Sequence, residues 1–215
     1  GPYWRLKGKS VSEEGPTAAA QGDQGFGPQI DPRPLDDITT STQESAYSFD
    51  PSIVQSQRIH QLCGYWREKA GHGVPARAEF DPVDVRELLP NLMMLDTLGD
   101  PTRFRYRLVG TRVVQYTGFD FTGRYLDEMV FQGRDFMEEC YRLVMTERRP
   151  VFGHYAWLVR SRHFGRCEFG LFPLSDDGKR VDRCVSIEDY ERMERDILAF
   201  GHQKAVSRTP AKPGR

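Results

Sequence analysis

No stretch of this 215-residue sequence is apolar over the ~18 residues that a membrane-spanning helix requires. The opening segment GPYWRLKGKSVSEEG lacks the apolar centre of a secretory signal, and its start without Met reads as a trimmed terminus. A basic surplus is missing too. The 30 Lys and Arg residues face 31 Asp and Glu for a net charge of −1, which works against a protein built around phosphate neutralisation. Cysteine is scarce and scattered: Cys63, Cys140, Cys167 and Cys184 form no CxxC or similar pair, so reduced, buried thiols are expected. The histidines His60, His72, His154, His163 and His202 are as dispersed and suggest no metal cluster. Also absent are G-x-S-x-G, the phosphate-binding loop and a G-x-G-x-x-G after a strand, which leaves no nucleophile elbow and no nucleotide cradle. These absences describe a soluble, cytoplasmic chain without familiar catalytic machinery.

What is present is one core's worth of apolar residues, 38% of the chain, arranged unevenly along it. Residues 1–50 are rich in Gly, Pro, Ser, Thr, Gln and Asp and show no sustained apolar period, so a disordered or loosely ordered arm is expected. Residues 201–215 read as a disordered tail with a mild basic bias. Between 51 and 74, Ile59, Leu62, Cys63 and Trp66 recur at the spacing of one helix face, ended by Gly71 and Gly73. Pro51 and Ser52 supply its start, and a docking or dimerising helix is expected over 53–70. In DPVDVRELLP, Asp81 can cap a short helix with Pro82 in its first turn and Pro90 at its end.

From residue 91 the period changes to that of strands. NLMMLDTL and RFRYRLVG flank the turn GDPT and make a hairpin. A helical stretch follows in TRVVQYTG, GRYLDEMV and FQGRDFMEECYRLVMTERR, the last with Phe136, Cys140, Leu143 and Val144 as its stripe. Three more strands come next, VFGHYAWLVR, RCEFGLFPL and VDRCVSIED, the final two joined by SDDGKR. Helices grouped between two antiparallel strand blocks define an α+β domain over 75–189. YERMERDILAF then carries Tyr190, Met193 and Ile197 at helical spacing, giving a C-terminal helix over 190–200 that is either an interaction helix or a cap on the sheet.

Six segments in this order resemble the PAS sensor domains: YWRE (65–68), PARAEFDPVDVRELLPNLMMLD (75–96), FRYRLVGT (104–111), TGRYLDEM (122–129), RRPVF (148–152) and LFPLSDDG (171–178). The sequence is similar to the short single-domain bacterial PAS proteins with an N-terminal helix. The resemblance covers about residues 59–188. It implies a five-stranded antiparallel sheet with helices on one face, enclosing a cavity, plus the N-terminal amphipathic helix. It also implies a non-enzymatic ligand-sensing or protein-interaction module in bacterial signalling, often a homodimer through that helix.

The resemblance leaves the cofactor open, because PAS folds host several ligands or none. The flavin-binding branch carries a reactive cysteine in GRNCRFLQ, and the matching GRYLDEMV has Leu126 at that position, so a flavin–cysteine adduct is disfavoured. Haem is disfavoured because the longer helix has no histidine; His154 lies on the following strand, where Phe152, Ala156 and Leu158 share its parity. The pocket-lining candidates are Tyr106, Tyr116, Tyr141, His154, Trp157 and Phe169, with Arg105 or Arg107 as handles for an anionic ligand. The leading expectation is a sensory or regulatory module that binds a small molecule, a protein partner or both. The competing one is nucleic-acid binding through the Arg-rich strand and the basic tail. Which parity of RFRYRLVG faces the cavity is not decided by the alternation.

Overall fold

The computed structural model describes residues 5–6, 45–131, 133–160 and 163–195. In chain order the elements are β1 (Arg5–Leu6), β2 (Ala46–Ser48), α1 (Gln57–Ala70), β3 (Leu92–Leu98), β4 (Arg103–Val109), α2 (Thr111–Thr117), β5 (Met129–Val130), α3 (Arg134–Glu147), β6 (Val151–Arg160), β7 (His163–Leu174) and β8 (Arg183–Asp189). Short 3-10 turns fill much of 77–91. The main sheet is antiparallel in the order β2-β6-β7-β8-β3-β4. Five of these strands are the ones expected from the sequence, and β2 extends the edge beside β6.

Two stretches depart from expectation. Residues 46–48, assigned to the loose N-terminal arm, pair with Phe152–His154, and Arg5–Leu6 pair with Met129–Val130. Short polar segments acquire order here because an existing strand edge satisfies their backbone groups. The second departure is GRYLDEMV, which forms a 3-10 turn at Leu126–Glu128 followed by β5 in place of a helix. The remainder of the arm, the end of the 190–200 helix and the tail at 201–215 fall outside the described residues.

The helix expected over 53–70 starts later, at Gln57. Pro51–Ile53 form a separate 3-10 turn capped by Asp50, and Val54 is extended with φ −110° and ψ 147°. Ser56 is the true cap: its hydroxyl accepts the Ile59 N–H at 3.2 Å. The delay has a tertiary cause. The Glu168 carboxylate on β7 accepts the N–H groups of Gln55 and Ser56, both at 2.8 Å, and Ser56 Oγ donates to Asp189 at the end of β8.

Helices cover both faces of the sheet. On the inner face, α2 and α3 close a core containing Leu95, Phe104, Tyr106, Cys167, Phe169 and Leu171. On the outer face, α1 places Ile59, Leu62, Cys63 and Trp66 against Phe152, Phe172, Val185 and Ile187. The apolar stripe of α1 is thus consumed by its own sheet. Trp66 donates its indole N–H to Pro173 O at 2.8 Å, and Gly170 permits the close approach, since a Cβ there would sit 2.9 Å from Ile59 Cγ2.

Leu62 is fully buried in this second core. Leu62→Ala is expected to lower the unfolding free energy by about 2–5 kcal/mol, while Arg67→Ala on the exposed side of α1 stays within about 0.5 kcal/mol. Chemical denaturation of both variants checks the assignment, and equal effects would show that α1 is not docked on the sheet.

Candidate functional site

The alternation in β8 places Cys184, Ser186 and Glu188 on the inner face and Val185 and Ile187 on the outer one. On an edge strand the polar residues would meet water. β8 lies between β7 and β3, with helices over both faces, so they are buried. Glu188 accepts hydrogen bonds from the hydroxyls of Tyr155, at 2.9 Å, and Tyr190. Burial pushes its carboxyl above the ordinary 4.5, against the opposing pull of those two hydroxyls. Ser186 Oγ and the Tyr141 hydroxyl are buried beside it with no protein hydrogen-bond partner. The Tyr141 hydroxyl faces Ser186 and Tyr106 without closing a hydrogen bond of normal geometry to either.

Of the residues expected to line a pocket, Tyr106, Tyr116, Tyr141 and Phe169 do come together in the inner core. Tyr106 packs edge-on against Phe121 with ring centres 4.6 Å apart, and Phe169 packs against Phe136 and Tyr155. Tyr116 does more than fill space. Its ring stacks on Tyr190 at 4.0 Å and 15°, and its hydroxyl joins Arg112 in contacting Glu194. The first turn after β8 is therefore held to α2. The side chain of Trp157 is outside the described residues.

Three expected site residues face the other way. His154 shares the parity of Phe152 and stands opposite Glu168 in the sheet, so it belongs to the outer face. Arg105 and Arg107 also point away from the inner core, because Phe104 and Tyr106 take that side of β4. What draws the arginines outward is Asp96, which is only 5% exposed and is met by Arg105 at 2.9 Å, Arg107 at 3.3 Å and Arg183 at 3.4 Å. Burial works to raise the Asp96 carboxyl, but Arg105 and Arg107 together hold it below its ordinary value. They therefore cannot serve as handles for a ligand on the inner face. Nor do they form an open phosphate platform, since Asp96 already neutralises part of their charge.

A family model described as PAS domain matches residues 54–187. The chain belongs to the PAS domain family. Among solved structures, it is similar to an RNA-binding light-oxygen-voltage receptor, with 12% identity over 62% of this chain and 41% of that one, at a TM-score of 0.37. The chain thus spans less than half the length of that receptor. No curated protein matches.

Membership assigns the PAS domain to a sensory or regulatory class, which is generally not catalytic. Two positions bear on a flavin–cysteine adduct and on haem. The adduct position holds Leu126, which is buried, and the nearest thiol on α3, Cys140, is fully buried and pushed up to about 12 by burial and then by Glu139. His154 faces the outer side, so it is not placed to hold haem on the inner face. Among the described residues there is no group of His, Cys, Asp and Glu that could hold a metal ion, and no helix is long and apolar enough to cross a membrane.

Periodicity missed Glu188, Tyr155, Tyr190 and Ser186. The available signal was VSIEDY itself, a strand with polar residues on one parity, which reads as a solvated face until its neighbours are known. Glu188 also yields a pH test. The folded protein keeps the Glu188 proton at pH values where the unfolded chain has released it, so this residue's contribution to stability falls as pH rises above about 4.5. The stability difference between Glu188→Gln and the wild type should therefore grow in favour of the variant, by about 1.4 kcal/mol for each pH unit up to the folded-state value. Denaturant titrations from pH 4.5 to 8 measure it, and a difference that stays flat would contradict the buried carboxyl.

Proposed function

We propose that this PAS domain is a non-enzymatic, cytoplasmic sensory module of bacterial signalling that binds a small polar ligand between the inner face of the sheet and α2 and α3. One observation carries the reading: the unpartnered hydroxyls of Tyr141 and Ser186 are buried beside the Glu188 carboxyl. Each buried hydroxyl without a partner costs about 1–3 kcal/mol, and a molecule with both donor and acceptor groups would recover that energy. The ligand this favours is small and hydrogen-bonding, not an extended aromatic, because Phe104, Phe121 and Phe169 already fill the surrounding space.

The same residues supply an output. Tyr190 donates to Glu188 and stacks on Tyr116, which with Arg112 holds Glu194. A ligand that re-pairs Glu188 would loosen or tighten the grip on the segment beginning at Tyr190. That segment would then present a different surface to a protein partner. A homodimer through α1 would have to use its exposed side, around Gln61, Arg67 and Glu68, since the apolar side is buried.

Native mass spectrometry of freshly purified protein, with an absorption spectrum and a thermal-shift screen of small acids, amides and alcohols, tests this reading. The expected result is a bound small molecule, or stabilisation by one, that Ser186→Ala and Tyr141→Phe each weaken about tenfold or more. If no compound stabilises the wild type and both variants are more stable than it, the two hydroxyls are simply unpaired and the ligand reading fails.

A further inference from the structure

A concave site lies on the outer face, on the opposite side of the sheet from the Glu188 cluster. It is an open groove of about 740 Å³ between the 77–91 segment and the end of β4. That volume falls within the ~300–1,000 Å³ range of small-molecule sites. Leu92, Met94 and Val185 reach it from the sheet, Leu108 from β4, and Phe80 and Leu89 from the facing segment. Four guanidinium groups line it as well, Arg77, Arg86, Arg107 and Arg183, and no carboxylate does.

The charges are not equivalent. Arg107 and Arg183 lean on Asp96, and Arg183 also meets Asp176. Arg77 and Arg86 form no ion pair among the described residues, and Arg77 spends one N–H on Phe80 O at 2.9 Å. Two of the four guanidiniums that line the groove are therefore outside any ion pair, beside its apolar residues. Some of its apolar residues are also open to solvent. Leu108 is 48% exposed and Leu89 36%, and Val83, next to the lining residue Pro82, is 69% exposed. A concave site with apolar walls and a few charged groups suits a ligand that has both characters.

The groove is built in advance of any occupant. Gly110 closes one end, where its N–H donates to Leu92 O at 2.7 Å and a Cβ would press into the carbonyls of Leu89 and Pro90. Phe80, Val85 and Leu88 anchor the opposite wall in the outer core. No residue of α1 lines it, so the docked helix leaves it open.

We propose that this groove binds an amphipathic anion, an aliphatic chain ending in a carboxylate, with the chain along Leu92, Met94 and Leu108 and the head group on Arg86 and Arg77. A guanidinium meets a carboxylate through two parallel hydrogen bonds, which suits two arginines outside any ion pair better than a diffuse contact would. Once Asp96 and Asp176 are counted against the four arginines, the groove keeps an excess of positive charge that an anionic head group would offset. The site is independent of the inner-face ligand, so either can fail without the other.

Calorimetry with dodecanoate below its micelle concentration tests the proposal, with dodecanol and acetate as probes lacking one half of the ligand. Saturable one-to-one binding of dodecanoate is expected, at least tenfold tighter than dodecanol, with none for acetate. Arg86→Glu and Leu108→Asp, both at exposed positions, should each weaken it tenfold or more, whereas Ser186→Ala should leave it unchanged. The proposal is overturned if dodecanoate does not saturate or if neither groove variant weakens it. It is equally overturned if sedimentation shows a dimer that Leu108→Asp dissociates, which would make the groove an interface between copies. Binding only to phosphatidylglycerol vesicles, with none to monomeric dodecanoate, would instead assign the face to a membrane surface.

Discussion

Two buried carboxylates at one corner of the sheet hold the molecule in its form. Glu168 and Asp189 receive the start of α1 through the backbone N–H groups of Gln55 and Ser56 and the Ser56 hydroxyl. Arg58 adds a contact to Asp189 at 3.3 Å. Charged acceptors at a helix N-terminus satisfy donors that would otherwise be unpaired and act favourably with the helix dipole. Once α1 is held there, its apolar stripe covers the outer face of β6, β7 and β8, and the sheet becomes buried on two sides.

That two-sided burial explains most of the chemistry elsewhere. With the outer face wet, Asp96 would be an ordinary surface residue, and with the inner face wet so would Ser186 and Glu188. With both faces covered, each needs a partner inside the protein. Asp96 finds three arginines from β4 and β8, Glu188 finds two tyrosines, and the hydroxyls of Ser186 and Tyr141 find none. The same geometry separates two environments of different character. The inner one is buried and hydrogen-bonding around Glu188, whereas the outer groove is open, apolar and lined by arginines.

Legibility followed the range of the interactions. The alternation of RFRYRLVG, the apolar run of NLMMLDTL and the turn at Asp177-Gly178 are local signals, and the strands appear where these place them. The apolar spacing of Ile59, Leu62, Cys63 and Trp66 likewise identified the buried face of α1. Its first turn was misplaced because Pro51 and Asp50 do make a turn of their own, and only the distant Glu168 and Asp189 delay the helix to Gln57. The tyrosines and Phe169 named from the sequence do meet in the inner core, because aromatics on strands and on small helices have few other places to go. The direction of the arginines and of His154 stayed open, since parity says which residues share a face without saying what covers it.

By itself, the sequence determined the α+β order of elements, the apolar stripe of α1, and the absence of a reactive cysteine where a flavin adduct would form. These depend on residues near one another in the chain, where dihedral preference, turn chemistry and side-chain period act directly. Only the tertiary structure decided which parity of β4 and β8 is enclosed, that Asp96 gathers Arg105, Arg107 and Arg183, and that Tyr190 ties Glu188 to Tyr116. Each of these joins residues from different strands or from opposite ends of the domain. The energy that selects them comes from burying polar groups that must find partners, and that requirement arises only once both faces of the sheet are covered.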